Sequence, residues 1–174
     1  IIGKGQDELP TDKSNFVYKS FCKVFEKIGK TVPEVTLECT NGIPLTRGMG
    51  SSSAALIGGL MSGNAVAGFP LSNQEILRMG AEIEKHPDNV APALLGGVQI
   101  GIYDQGELVT ASVPFPEDLN VVLYVPCQTM PTDQARNILP AEIQRKDAVY
   151  NIGRAALLVQ SLITGDLDNL KYAT

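Results

Sequence analysis

The chain's 174 residues, 44% hydrophobic and 19% charged, hold enough apolar material to bury a core and fit one large globular domain or two small ones. A formal net charge of -5 with no Lys/Arg-rich run argues against a nucleic-acid surface. No apolar run approaches the roughly 20 residues that cross a bilayer, and Ile1 to Leu9 lacks the basic-then-apolar order of a signal peptide, so a cytoplasmic protein without a membrane partner is expected.

Cys22, Cys39 and Cys127 are too few and too widely spaced for a disulfide framework or a zinc site, which suits reduced thiols. Ile1 to Pro10 has no clear period and reads as a surface loop. Thr11 and Asp12 stand where a helix cap belongs, and Phe16, Val17, Phe21, Val24, Phe25 and Ile28 recur at helical spacing up to Gly29. Val35, Leu37 and Cys39 then alternate with Glu34, Thr36, Glu38 and Thr40, the pattern of a half-buried strand.

That strand leads into Pro44-Leu-Thr-Arg-Gly-Met-Gly-Ser-Ser-Ser-Ala-Ala55. Gly48 and Gly50 can take backbone angles closed to other residues and let the chain approach an anion. Ser51, Ser52 and Ser53 add hydroxyls beside the unpaired N–H groups of a helix start, which is phosphate-binding chemistry. The same letters also describe a turn followed by a serine N-cap. The stretch has neither the Lys-Ser/Thr pair of a Walker loop nor the third glycine of a Rossmann turn. Arg47 reads either as a solvated loop arginine or, through its fork of donors, as a phosphate clamp. Ala54 to Val66 is apolar nearly all round, as in a buried helix, with Gly58, Gly59 and Gly63 as close-packing positions and Met61 as core filler.

Ser72 followed by Glu75 is a capping box, opening a helix with Ile76, Leu77 and Ile83 on its apolar face and Pro87 limiting its length. Glu82 to Asn89 gathers carboxylates, His86, Asp88 and an amide within one short stretch. Asp88 and Asn89 could simply cap a short helix through Leu95. Beside a phosphate loop they read differently, because phosphoryl transfer needs a hard oxygen ligand for magnesium and groups that orient a hydroxyl. Val98 to Tyr103, a turn at Asp104-Gln105-Gly106 and Leu108 to Val113 make a hairpin. Pro114 and Pro116 break it, and Val121 to Val125 reads as an apolar strand opening a second domain. The last helix is expected from about Asp147 to Leu162, with Val149, Ile152, Ala155, Ala156, Val159 and Leu162 buried and Gly165 as its stop.

Pro-x-x-x-Gly-x-Gly-Ser-Ser-x-Ala resembles the nucleotide loop of the GHMP kinases, which act on galactose, homoserine, mevalonate and phosphomevalonate. Glu84-x-His-Pro-Asp-Asn-Val-Ala-Pro-Ala-Leu-Leu-Gly-Gly97 and Thr132-x-x-Ala-Arg-x-x-Leu-Pro140 are similar to the homoserine kinase branch. The resemblance implies an α+β fold of GHMP kinase type. Its first domain, residues 1–116, would be a ribosomal-S5-like two-layer ATP-binding domain, and residues 117–174 would begin a ferredoxin-like C-terminal domain. It also implies phosphorylation of L-homoserine by ATP to O-phospho-L-homoserine, on the way to threonine. In that reading Pro44, Arg47, Gly48, Met49, Gly50, Ser51, Ser52 and Ser53 hold the nucleotide. Ser52 and Glu84 hold Mg²⁺, with Glu82 the alternative carboxylate. His86, Asn89, Thr132 and Arg136 hold the amino acid, and Asp88 is the nearest candidate base. The family's opening strand-and-loop motif and closing glycine-rich loop have no counterpart here, so a longer enzyme is expected, its oligomeric state left open with a homodimer included. A sister kinase for mevalonate or a sugar and a non-catalytic relative are the rival readings.

Overall fold

The computed structural model describes residues 1–85, 88–125 and 138–174. The first helix, α1 (Phe16–Lys27), starts one turn later than the expected cap, because Asn15 reaches the free N–H groups. Its Oδ1 accepts from the Val17 N–H at 2.9 Å while its Nδ2 donates to the Pro10 carbonyl at 2.6 Å. Asp12 instead closes the preceding turn, and bonds from the Ser14 hydroxyl and then the Ser14 N–H hold its carboxyl below the ordinary range.

The expected strand from Glu34 is mostly absent. Only Thr40–Asn41 (β2) pairs, in parallel with Ile2–Gly3 (β1), so the opening segment is more than a surface loop. Val35, Leu37 and Cys39 are still half-buried and their neighbours exposed. The alternation describes two faces, whereas a ladder needs a partner strand along its whole length, and β1 supplies one for two residues.

The central element is α2 (Ser51–Val66), which packs on α1, on α3 (Asn73–Glu84) and on α4 (Val90–Leu95). Leu56, Ile57 and Leu60 of α2 join Val24, Ile76, Leu77, Val90 and Ala91 in one apolar core. The α1–α2 crossing is close because Gly59 sits against the Val17 carbonyl, and a Cβ on Gly63 would lie 2.7 Å from the Phe21 carbonyl oxygen. Gly58, expected to pack in the same way, faces open space. The capping box of α3 forms as expected: Glu75 accepts from the Ser72 N–H at 2.8 Å, and the Ser72 hydroxyl accepts from the Glu75 N–H at 3.3 Å.

After α4, strands β3 (Val98–Asp104) and β4 (Glu107–Val113) form the expected antiparallel hairpin, in register Val98↔Val113. Gln105 and Gly106, at φ 49° and 85°, make the two-residue turn, whose twist matches that of the strands. Leu108 enters the core, and an Arg78–Glu107 ion pair ties α3 to β4.

Two expectations fail in the C-terminal part. Val121 to Val125 is exposed and forms no strand, since an apolar run becomes a strand only beside a neighbour. The last helix, α5 (Arg145–Thr164), leaves Val149, Ile152, Ala155 and Ala156 exposed and Val159 half-buried, with only Leu162 of the expected stripe buried. A 3₁₀ turn (Leu167–Asn169) and the short α6 (Leu170–Ala173) follow. No helix among the described residues is long and apolar enough to cross a membrane.

Candidate active site

The glycine loop enters α2 through a left-handed residue. Gly50, at φ 71° and ψ 21°, is the N-cap, and the first helical bond runs from the Ala54 N–H to the Gly50 carbonyl at 2.9 Å. The N–H groups of Ser51, Ser52 and Ser53 therefore have no partner within the helix, at the end where its dipole favours an anion. Gly48 is also left-handed, at φ 68°, and a Cβ there would meet nothing within 4 Å. Pro44, Arg47, Met49 and Ser51 are half-buried, Gly48 and Ser52 exposed, and Ser53 buried on the core side of α2.

The end of α3 closes on this loop. The Ser52 hydroxyl donates to Glu84 Oε1 at 2.6 Å, bridging 32 positions of sequence. Glu82, the alternative carboxylate, is exposed and lies toward Tyr103, whose phenol is raised above its ordinary value first by burial and then by the charge of Glu82. Asn89 occupies the N-cap position of α4 without making a side-chain capping bond. It lies instead against the loop, for a Cβ on Gly50 would sit 3.4 Å from Asn89 Oδ1. Asp88 is exposed beside it. Loop, Glu84 and the Asp88-Asn89 pair thus share one location, while His86, Thr132 and Arg136 lie outside the described residues.

Ser52 and Glu84 offer oxygen donors of the kind a hard divalent cation takes. Among the described residues no three His, Cys, Asp or Glu side chains cluster. One carboxylate and one hydroxyl beside an anion cradle leave most of the coordination shell to phosphate oxygens and water, as Mg²⁺ prefers. A cavity of about 790 Å³ between Pro10–Asn15, Tyr18 and Val32–Cys39 lies apart from these residues. Lys85 ends α3 in a left-handed conformation at φ 66°.

Residues 15–97 match the GHMP kinases N terminal domain, the segment that contains α1, the glycine loop, α2, α3 and α4. This chain carries a GHMP kinase N-terminal domain. Homoserine kinase of Desulfitobacterium hafniense is 47% identical over 163 residues, which is 94% of this chain and 55% of that protein. Homoserine kinase of Carboxydothermus hydrogenoformans is 44% identical over 91% of this chain and 52% of its own length. The crystal structure of homoserine kinase from Cytophaga hutchinsonii superposes with a TM-score of 0.76 at 27% identity, covering 97% of this chain and 55% of that one. The fold is therefore the α+β fold of GHMP kinases. The chain spans about half the length of the curated relatives it matches.

Proposed function

We propose that this chain provides the nucleotide loop, the metal ligands and part of the acceptor pocket of a kinase that transfers the γ-phosphoryl group of ATP to the side-chain hydroxyl of L-homoserine. The observation that supports this reading is the Ser52–Glu84 hydrogen bond, which brings a hydroxyl and a carboxylate together at the N-terminal end of α2. The relatives' names supply the substrate.

In this reading the loop from Pro44 to Ser53 encloses the phosphates with backbone N–H groups and the hydroxyls of Ser51 and Ser52. Ser52 and Glu84 would hold Mg²⁺, which when bound neutralises charge on the phosphates. Asn89 and His86 would orient the amino acid, with Thr132 beside it and Arg136 paired to its carboxylate. The γ-phosphorus exchanges its bond to the ADP oxygen for one to the homoserine oxygen, and the hydroxyl proton leaves to Asp88 or to water. Positioning and charge neutralisation do most of the catalytic work in such transfers. The same reading divides the chain at residues 1–116 and 117–174, and makes the protein a cytoplasmic enzyme of threonine biosynthesis.

The test is to incubate the protein with ATP, Mg²⁺ and L-homoserine and follow ³¹P resonances. O-phospho-L-homoserine and ADP in equal amounts are expected. Turnover of mevalonate or galactose in preference to homoserine would transfer the chain to a sister kinase. Nucleotide binding without any acceptor phosphorylated would favour the non-catalytic rival.

A further inference from the structure

Glu34 to Cys39 has the side-chain pattern of a strand and almost no ladder. Val35, Leu37 and Cys39 are half-buried, while Glu34, Thr36 and Glu38 are exposed. Among the described residues none exchanges a backbone hydrogen bond with Glu34 to Glu38, and Cys39 gives only its carbonyl, to the Ile2 N–H at 2.8 Å. An extended segment with a half-buried alternating face and open N–H and C=O groups is a template for a further strand.

The short ladder that does form fixes how such a strand would lie. Ile2 pairs with Thr40 and Gly3 with Asn41 in parallel, and the Lys4 N–H bonds the Asn41 carbonyl at 2.8 Å. Carried backward one residue at a time, this register sets Ile1 opposite Cys39 and the five residues before Ile1 opposite Glu38, Leu37, Thr36, Val35 and Glu34 in turn. Residues directly opposite one another share a face of the sheet. Ile1 obeys this, being half-buried like Cys39, whereas Ile2 is 65% exposed. Ile1, Val35, Leu37 and Cys39 all line the cavity of about 790 Å³, together with Pro10 and Tyr18. The backward path of β1 therefore starts in that cavity and follows one of its walls.

We infer that this groove seats the residues immediately upstream of Ile1 in the full-length polypeptide, which continue β1 as a parallel strand along Glu34 to Cys39. The chain covers 55% and 52% of the two homoserine kinases described above, so proteins of this kind hold further polypeptide to supply it. In this register the residues two and four before Ile1 lie on the face of Leu37 and Val35 and are apolar. Those one and three before it donate their N–H groups to the Leu37 and Val35 carbonyls, and the Val35, Leu37 and Cys39 N–H groups donate in return. The strand also steadies the stem of the glycine loop. Asn41 already ties that stem down, its Nδ2 donating to the Lys4 carbonyl at 2.9 Å and to the Ile43 carbonyl at 3.1 Å. None of this depends on which acceptor is phosphorylated.

Amide exchange and nuclear Overhauser contacts in the full-length protein test the seat, with a second sample mixed from labelled and unlabelled chains. The Val35, Leu37 and Cys39 amides should exchange at least ~100-fold more slowly than in an unstructured chain. Overhauser contacts should join Leu37 to the residue two before Ile1, and Val35 to the residue four before it. Faster exchange at these amides would overturn the inference, as would contacts that join Glu34 to Cys39 to any other part of the chain. Contacts seen only between labelled and unlabelled chains would seat a second copy there and overturn it too. So would charged residues at both the second and the fourth position before Ile1 in the full-length sequence.

Discussion

The Ser52 hydroxyl and Glu84 Oε1, 2.6 Å apart, join the first turn of α2 to the last residue of α3. Glu82 makes no such bond to a described residue. Glu84→Gln should raise the magnesium concentration needed for half-maximal turnover and lower kcat far more than it weakens homoserine binding, since the amide keeps the shape and loses the charge. Glu82→Gln should do much less. Steady-state kinetics across a magnesium titration checks the pair, and the reverse ranking would move the metal ligand to Glu82.

Gly50 combines a left-handed backbone, at φ 71°, with Asn89 Oδ1 3.4 Å from where its Cβ would be. Gly50→Val should reduce nucleotide affinity at least ~10-fold by titration calorimetry while the circular dichroism stays near that of the parent. An unchanged affinity would remove this residue from the phosphate site.

Arg136 tests homoserine rather than kinase activity in general. A bidentate pair with the substrate carboxylate is a charge-assisted contact of roughly 1.5–3 kcal/mol, so Arg136→Ala should lower kcat/KM for homoserine at least ~10-fold. The KM for ATP should stay near its starting value, and lysine should restore only part of the loss. An amino alcohol lacking the carboxylate should be a poor substrate of the parent and lose little more on mutation. Equal damage to both substrates would contradict the assignment.

The α1–α2 crossing separates two neighbouring glycines. A Cβ on Gly59 would press on the Val17 carbonyl and lie 2.6 Å from Ser20 Cβ, whereas Gly58 faces open space. Gly59→Ala should therefore destabilise by about 1–3 kcal/mol. Gly58→Ala should stabilise by up to about 1 kcal/mol through helix propensity alone. Urea unfolding of both variants checks the sign at each site.

The capping box of α3 carries a pH dependence. The Ser72 N–H, and then the Ser72 hydroxyl, hold the Glu75 carboxyl below its ordinary value of 4.5. A carboxyl lowered by folding contributes fully above the unfolded value and loses that contribution as pH falls through the folded one. Ser72→Ala should lower stability by about 1 kcal/mol at neutral pH. The difference between parent and variant should shrink below pH 4.5. Urea midpoints at several pH values measure it, and a constant difference down to the acid limb would separate the cap from the Glu75 charge.

The elements legible in the sequence were those whose cause is local. The apolar spacing of α1 and α3, the Ser72–Glu75 box, the Gln105-Gly106 turn and the glycine-serine entry to α2 each depend on a few neighbouring residues and the backbone geometry they allow. The glycine-serine loop and the Glu84–Asn89 stretch stood out as candidates for the same reason, as short runs of specific chemistry. Tertiary structure decided whatever needs a distant partner. Asn15 won the cap of α1 because it also reaches the Pro10 carbonyl, and Glu34–Cys39 kept its two faces without a ladder because β1 is short. The stripe of α5 remained exposed because burial is a property of what lies opposite. The choice between Glu82 and Glu84 is the clearest case: two residues apart on a helix they point about 200° away from each other, so periodicity allows either, and only the packing of α3 on α2 sets one of them against Ser52.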